Sequence, residues 1–199
     1  MNPLFSIRAI NSCLLAAALP MLAQSQALTA PAERISDRAI HADYQAFETA
    51  QARIKALNEG GRPLRDYHLA KAQCWLDVSF HEYTRNDRSA FPQQALEQSL
   101  ALVERMEQKA AQLPGDTVLV NDAERLRPDL WELAGKLKLH AGAACVAQRV
   151  ACAEVELVHA GNENRQQGWR HATPYVQMAE DLLAPAMAQA EACGVKPSP

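Results

Sequence analysis

The sequence predicts an all-α fold, an antiparallel bundle of about five helices stapled by two disulfides. Three observations carry that expectation. Apolar residues recur at three-and-four spacing through most of the chain, which is the period of a helix face. Alanine, the strongest helix former, is abundant. Of five cysteines, four lie beyond an apolar leader, an even number suited to two staples. The one β-branched cluster after the leader, Thr117-Val118-Leu119-Val120, has no second run to pair with.

Composition narrows the class before any motif is read. The chain has 199 residues, 48% hydrophobic and 22% charged, enough apolar material for one packed domain and too much for a disordered chain. Eight glycines without a Gly-X-Y repeat exclude collagen. A net charge of −3 offers no broad basic surface for nucleic acid.

Residues 1–27 read as a secretory signal peptide. Arg8 supplies the positive start, Cys13 to Ala23 form a short apolar run, and Ser25-Gln26-Ala27 provides small residues for cleavage after Ala27. The apolar run is too short for a membrane anchor, which needs roughly 20 residues. Cys13 opens that run instead of following it, so a lipid anchor there is not expected. The mature part, 28–199, is read as a single helical-bundle domain with no transmembrane segment.

The first predicted helix runs from Ala32 to Asn58 on the stripe Ile35, Ala39, Ala42, Ala46, Phe47, Ala50, Ile54 and Leu57, and Gly60-Gly61 end it. Pro63 opens the second, which continues to about Arg85 and is apolar on two sides, as a sandwiched helix is. Ser89 caps the third, with Pro92 tolerated in its first turn, and Pro114-Gly115-Asp116 closes the stretch that ends at Leu113. Pro128 opens a long fourth helix from about Asp129 to Val158 or beyond, where Gly142 and nearby alanines suit close approach of a neighbour. Gly161-Asn162-Glu163-Asn164 and Gln166-Gln167-Gly168 read as a connection. Pro174 then opens a fifth helix that ends near Cys193 and is kinked by Pro185.

Cys74, Cys145, Cys152 and Cys193 allow three pairings. Helix geometry removes one of them. Cys145 and Cys152, seven apart on one helix, lie about 10 Å apart, beyond the reach of a disulfide. A hairpin turning near Gly168 sets Cys193 level with Cys145 and favours Cys145–Cys193 with Cys74–Cys152 over Cys74–Cys145 with Cys152–Cys193. No Cys-x-x-Cys is present, so thioredoxin-like chemistry and c-type haem attachment lack their signature.

The densest polar cluster lies on the second helix: Trp75, Asp77, His81, Glu82, Arg85, Asp87 and Arg88. Asp77 and His81, four apart, share a face, and a carboxylate can orient a histidine for base catalysis or metal binding. The competing reading is a surface ion-pair patch at a helix end. His159 and Glu163 form a second such pair, with Glu156 one turn before. Glu156 to His159 makes one copy of the Glu-x-x-His element that di-iron bundles use twice. Gly168-Trp169-Arg170-His171 is an aromatic and basic turn, suited to recognition or to packing a hairpin tip. There is no Gly-x-Ser-x-Gly and no phosphate-binding glycine loop. The candidate binding residues are therefore Trp75, Asp77, His81, Glu82, Arg85, His159, Glu163, Trp169 and Arg170, with no catalytic residue, metal ligand set or cofactor assigned.

Two stretches carry a resemblance. One is Leu69-Ala70-Lys71-Ala72-Gln73-Cys74-Trp75-Leu76-Asp77 with Glu82-Tyr83 and Asn86-Asp87-Arg88. The other is Ala151 to Val158, then Gly161-Asn162-Glu163, Gly168-Trp169-Arg170-His171-Ala172 and Pro174-Tyr175. Together they resemble the helical N-terminal region of proteobacterial OmpA-family envelope proteins. In that family the helical region precedes a peptidoglycan-binding domain. Here the sequence reaches Lys196-Pro197-Ser198-Pro199 with no such domain expected, so peptidoglycan binding is carried to no residue. The resemblance implies a periplasmic location with outer-membrane association and an envelope protein as partner.

The leading expectation is an exported, non-enzymatic helical module with an interaction or scaffolding role. The alternative is a bundle that binds a small ligand or metal. A hydrolase ranks last, because no nucleophile and base can be paired.

Overall fold

The computed structural model describes residues 27–194, and the signal-peptide reading, apart from Ala27, lies outside them. Among the described residues the chain is all helical, without a strand. The helices are α1 (Asp37–Glu59), α2 (Tyr67–Thr84), α3 (Phe91–Glu107), α4 (Pro128–Leu139), α5 (Ala143–Gln167), α6 (Trp169–Leu183) and α7 (Ala186–Gly194). A single 3₁₀ turn, Val120–Asp122, interrupts the long connection before α4. The predicted bundle is therefore present, with seven α-helices in place of five because the fourth and fifth are each divided.

Local chemistry explains most of the ends. Ser36 caps α1 by accepting from the Ala39 amide, so the helix begins after the Ala32 start read from the sequence. Asp66 caps α2 through two amides, His68 and Leu69, which moves its start past Pro63. Ser89 accepts from the Phe91 amide at 3.1 Å and leads into α3. That helix stops at Glu107, and Lys109 at φ 52 turns the chain away from the predicted end at Leu113.

Two departures go with close approach of backbones. The fourth predicted helix breaks at His140–Gly142, where His140 is extended and its Nδ1 accepts from the Gly142 amide. A Cβ at Gly142 would meet the Ala190 backbone, so the glycine seats α7. Gly161 lies inside α5, not in a connection, and a Cβ there would enter the Glu124 backbone, so the glycine makes room for the crossing chain. Asn162 and Asn164 lie in the same helix, and their side chains hold the crossing chain through Asn121 at 2.8 Å and Glu124 at 2.6 Å. The helix ends at Gly168, whose φ of 83 suits glycine. Pro174 sits within α6 instead of opening it, and Pro185 separates α6 from α7 where a kink was expected.

Three sequential pairs run antiparallel: α1 with α2, α2 with α3, and α5 with α6. Ser79 donates to the Pro92 carbonyl and Ser99 to the Ala72 carbonyl, which fixes α2 against α3. Tyr83 donates to Asp43, and Gln73 meets Gln51, which fixes α1 against α2. The turn at Gly168 folds α6 back on α5. In contrast, α2 and α5 run in the same sense, since Cys74 joins Cys152, Glu82 meets His159 and Gln166 donates to Asp87. The 108–127 connection makes that possible by travelling along the bundle, past Lys71 at Thr117 and past Asn162 at Asn121.

One large core holds the helices together, with Trp75, Phe91, Leu96, Leu137 and Leu157 among its fully buried side chains. Alanines at zero exposure, such as Ala72, Ala95, Ala134 and Ala179, let helices approach closely. Cys74 and Cys152 pair at a Cα separation of 5.4 Å and Cys145 and Cys193 at 6.5 Å, the pairing that the hairpin register favours. Among the described residues no helix is long and apolar enough to cross a membrane.

Candidate functional site

The site lies where α2, α5 and α6 meet. α2 presents His81, Glu82 and Arg85, α5 presents Glu156, His159 and Glu163, and α6 adds Tyr175. Their positions follow from helical period. Residues 82 and 85 are one turn apart, as are 156, 159 and 163, and the parallel run of α2 and α5 brings both stripes to one level.

His159 is buried at the centre. Its Nε2 is 2.9 Å from Glu82 Oε1 and its Nδ1 is 3.3 Å from Glu156 Oε2. The Tyr175 ring covers one side at a centroid distance of 3.7 Å, and Phe91 stacks at 5.6 Å. With a carboxylate at each nitrogen, both nitrogens can donate only in the protonated ring. Burial lowers the His159 pKa, but the bonds to Glu156 and Glu82 outweigh it and hold it above the usual histidine value. Glu82 is pushed up by burial and more than pulled back by His159 and Arg85, so it stays below the usual carboxylate range.

His81 forms the outer edge. Its Nε2 is 3.0 Å from the Tyr175 hydroxyl and 3.6 Å from Glu82 Oε1, and burial followed by the neighbouring His159 lowers its pKa. Arg85 donates to the same Tyr175 hydroxyl at 2.6 Å and lies 3.4 Å from Glu82 and 4.0 Å from Glu163. Burial, then the Glu82 charge, pushes the Tyr175 phenol up to about 12. Glu163 is buried, and its Oε1 has no hydrogen-bond partner among the described residues. Its pKa is raised by burial and by Glu82. A cleft of about 240 Å³ opens beside Asp77, His81, Glu156, His159, Tyr175 and Met178. Chemically, the arrangement can hold a proton between two carboxylates, or offer two imidazole nitrogens and a carboxylate oxygen to a cation.

Of the sequence candidates, His81, Glu82, Arg85, His159 and Glu163 converge here. Asp77 lines the cleft but accepts from Gln73 at 2.8 Å, not from His81. The His159–Glu163 pair is likewise re-partnered, since His159 turns to Glu82 and Glu156. Trp75 is a core residue and does not reach the cleft lining. Trp169 is 54% exposed at the α6 start and Arg170 is exposed, and neither joins the site.

A second buried polar cluster is absent from the sequence candidates. Glu154 Oε2 accepts from Lys71 at 2.9 Å, Tyr67 at 2.5 Å and Thr117 at 2.8 Å, and Lys138 reaches Oε1 at 2.6 Å. Burial pushes Glu154 up, but Lys71 and the converging donors hold it below the usual range. The signal was a single charge on an otherwise apolar stripe in each helix, Lys71 in one and Glu154 in the other. An apolar hollow of about 310 Å³ adjoins it between Tyr67, His68, Lys138 and the alanines at the start of α5.

No protein-family model, no curated protein and no solved structure matches this chain.

Proposed function

We propose that this protein is an exported cell-envelope module that acts by binding a protein partner and has no enzymatic role. One observation carries the exported part of the reading: Cys74, Cys145, Cys152 and Cys193 pair off simultaneously, at Cα separations of 5.4 and 6.5 Å, within one stapled bundle. Paired cysteines of this kind belong to oxidising compartments. The leader at 1–27 and the resemblance to the helical region of OmpA-family envelope proteins support a periplasmic place with outer-membrane association.

In cells the protein is expected in the envelope fraction, its cysteines closed to alkylation until reduced. Cross-linking in intact envelopes is expected to capture one recurrent protein. Free thiols in the cytoplasm, or no recurrent partner, would overturn the proposal. The exposed Tyr44 and Phe80, an edge-to-face pair at 5.6 Å, are good positions for a photo-cross-linker.

A second reading is a bundle that binds a small ligand or metal ion. The observation favouring it is the convergence of His81, Glu82 and His159 on one cleft.

A further inference from the structure

We propose that His81, Glu82 and His159 bind one borderline divalent cation of the zinc class at the wall of the α2–α5–α6 cleft. The inference specifies the second reading above and is independent of the envelope-partner reading.

Distances come first. His159 Nε2 and Glu82 Oε1 are 2.9 Å apart, and His81 Nε2 is 3.6 Å from the same oxygen. Zinc binds histidine nitrogen and carboxylate oxygen at about 2.0–2.2 Å, which puts two ligands of one tetrahedral ion roughly 3.3–3.6 Å from each other. The two separations bracket that value. Ligand atoms from all three residues lie within 4.8 Å of one another, and the His81 side chain, 48% exposed, has room to close the remaining edge.

The surroundings match as well. Metal-bound histidines commonly give their other ring nitrogen to a carboxylate, which fixes the tautomer. Glu156 stands there, 3.3 Å from His159 Nδ1. The ion would take the place of the Nε2 proton, which leaves to solvent, while Nδ1–H goes on donating to Glu156. Once the His159 proton has left, Glu82, Glu156 and Glu163 set three carboxylates against the one guanidinium of Arg85, an excess that a dication offsets. Two imidazoles and a carboxylate, with the four cysteines among the described residues tied in disulfides, suit zinc over softer ions. Three protein ligands leave a fourth position facing the cleft, where Tyr175 and Met178 line the entry.

The test uses exported protein purified without an affinity tag and stripped with a chelator. It is titrated with Zn(II) by calorimetry and with Co(II) by visible absorption. One ion per chain is expected, with the Co(II) spectrum of a low-coordinate nitrogen and oxygen site. His81→Ala changes an exposed side chain and is expected to keep the fold while weakening binding by at least about 100-fold. Glu156→Gln is expected to cost about 10- to 100-fold by freeing the His159 ring. Unchanged affinity in folded His81→Ala and Glu82→Gln would place the ion elsewhere and overturn this site, leaving the second reading open to other ligands. No binding tighter than about 0.1 mM for either ion would overturn the metal inference in any form.

Discussion

Buried charge ties α2 to α5 at two places, with Cys74 between them on α2, and the two contacts are built in opposite ways. At the first, four donors from Tyr67, Lys71, Thr117 and Lys138 surround the single carboxylate of Glu154. Its acceptors are filled and the charge is neutralised within the protein. At the second, one histidine is shared by two carboxylates, a third carboxylate has an unpartnered oxygen, and the group opens on a cleft. The first arrangement leaves its carboxylate no free acceptor and reads as a lock, although an apolar hollow of about 310 Å³ adjoins it. The second keeps surplus negative charge and an entrance, which are the conditions a cation needs.

The comparison breaks most easily at the lock. Glu154→Ala strands Lys71 as a buried, unpaired charge and is expected to cost about 3–5 kcal/mol in urea unfolding. A loss below about 1 kcal/mol would show that Lys71 does not depend on this carboxylate. The double variant Lys71→Met with Glu154→Leu should recover most of the loss, since it removes both charges. The same carboxyl sets an acid limb. Its native pKa is depressed, so its stabilisation is fully present above the usual carboxylate range and fades as pH falls through the native value. A Glu154→Gln variant should therefore lose less stability than its parent on acidification, and equal acid slopes in the two proteins would contradict the assignment.

Next in size is the covalent brace. Removing Cys74–Cys152, which spans 78 residues, is expected to cost about 2–4 kcal/mol by denaturant titration. His159→Gln, measured in chelator, loses a charged hydrogen-bonding centre and should cost about 1.5–3 kcal/mol. A cost equal to that of Glu154→Ala would mean that the second contact is a lock too. Tyr175→Phe removes only the hydroxyl between His81 and Arg85 and is expected to cost about 0.5–1.5 kcal/mol in thermal unfolding. A neutral result there would show that solvent replaces the hydroxyl at both partners.

Much of the bundle was legible because helical period depends on near neighbours in sequence. The stripes of α1, α2 and α3 are local patterns, and the exclusion of Cys145–Cys152 needs only the rise of one helix. Gly161, Asn162 and Asn164 misled because they look like loop residues, yet here they make room for and grip a chain that arrives from residues 121–124. The site was half legible for the same reason. His81, Glu82, Arg85, His159 and Glu163 stood out as types, but the i, i+4 pairings drawn among them were the wrong partners. A residue on a helix can turn toward its own neighbours or toward another helix, and only packing chooses. Lys71 and Glu154 each stand as one charge on an apolar stripe, a signal that does not name its partner on another helix.

By itself the sequence determined the class, the helical periods and the turn at Gly168, all consequences of bonding within a few residues. Tertiary structure alone decided that α2 and α5 run in the same sense, that Glu82 meets His159 across 77 positions, and that one polar contact closes while the other stays open. Those outcomes depend on which surfaces the 108–127 connection brings together, and the free energy of burying a charge is set by its partner across the interface, not by its neighbour along the chain.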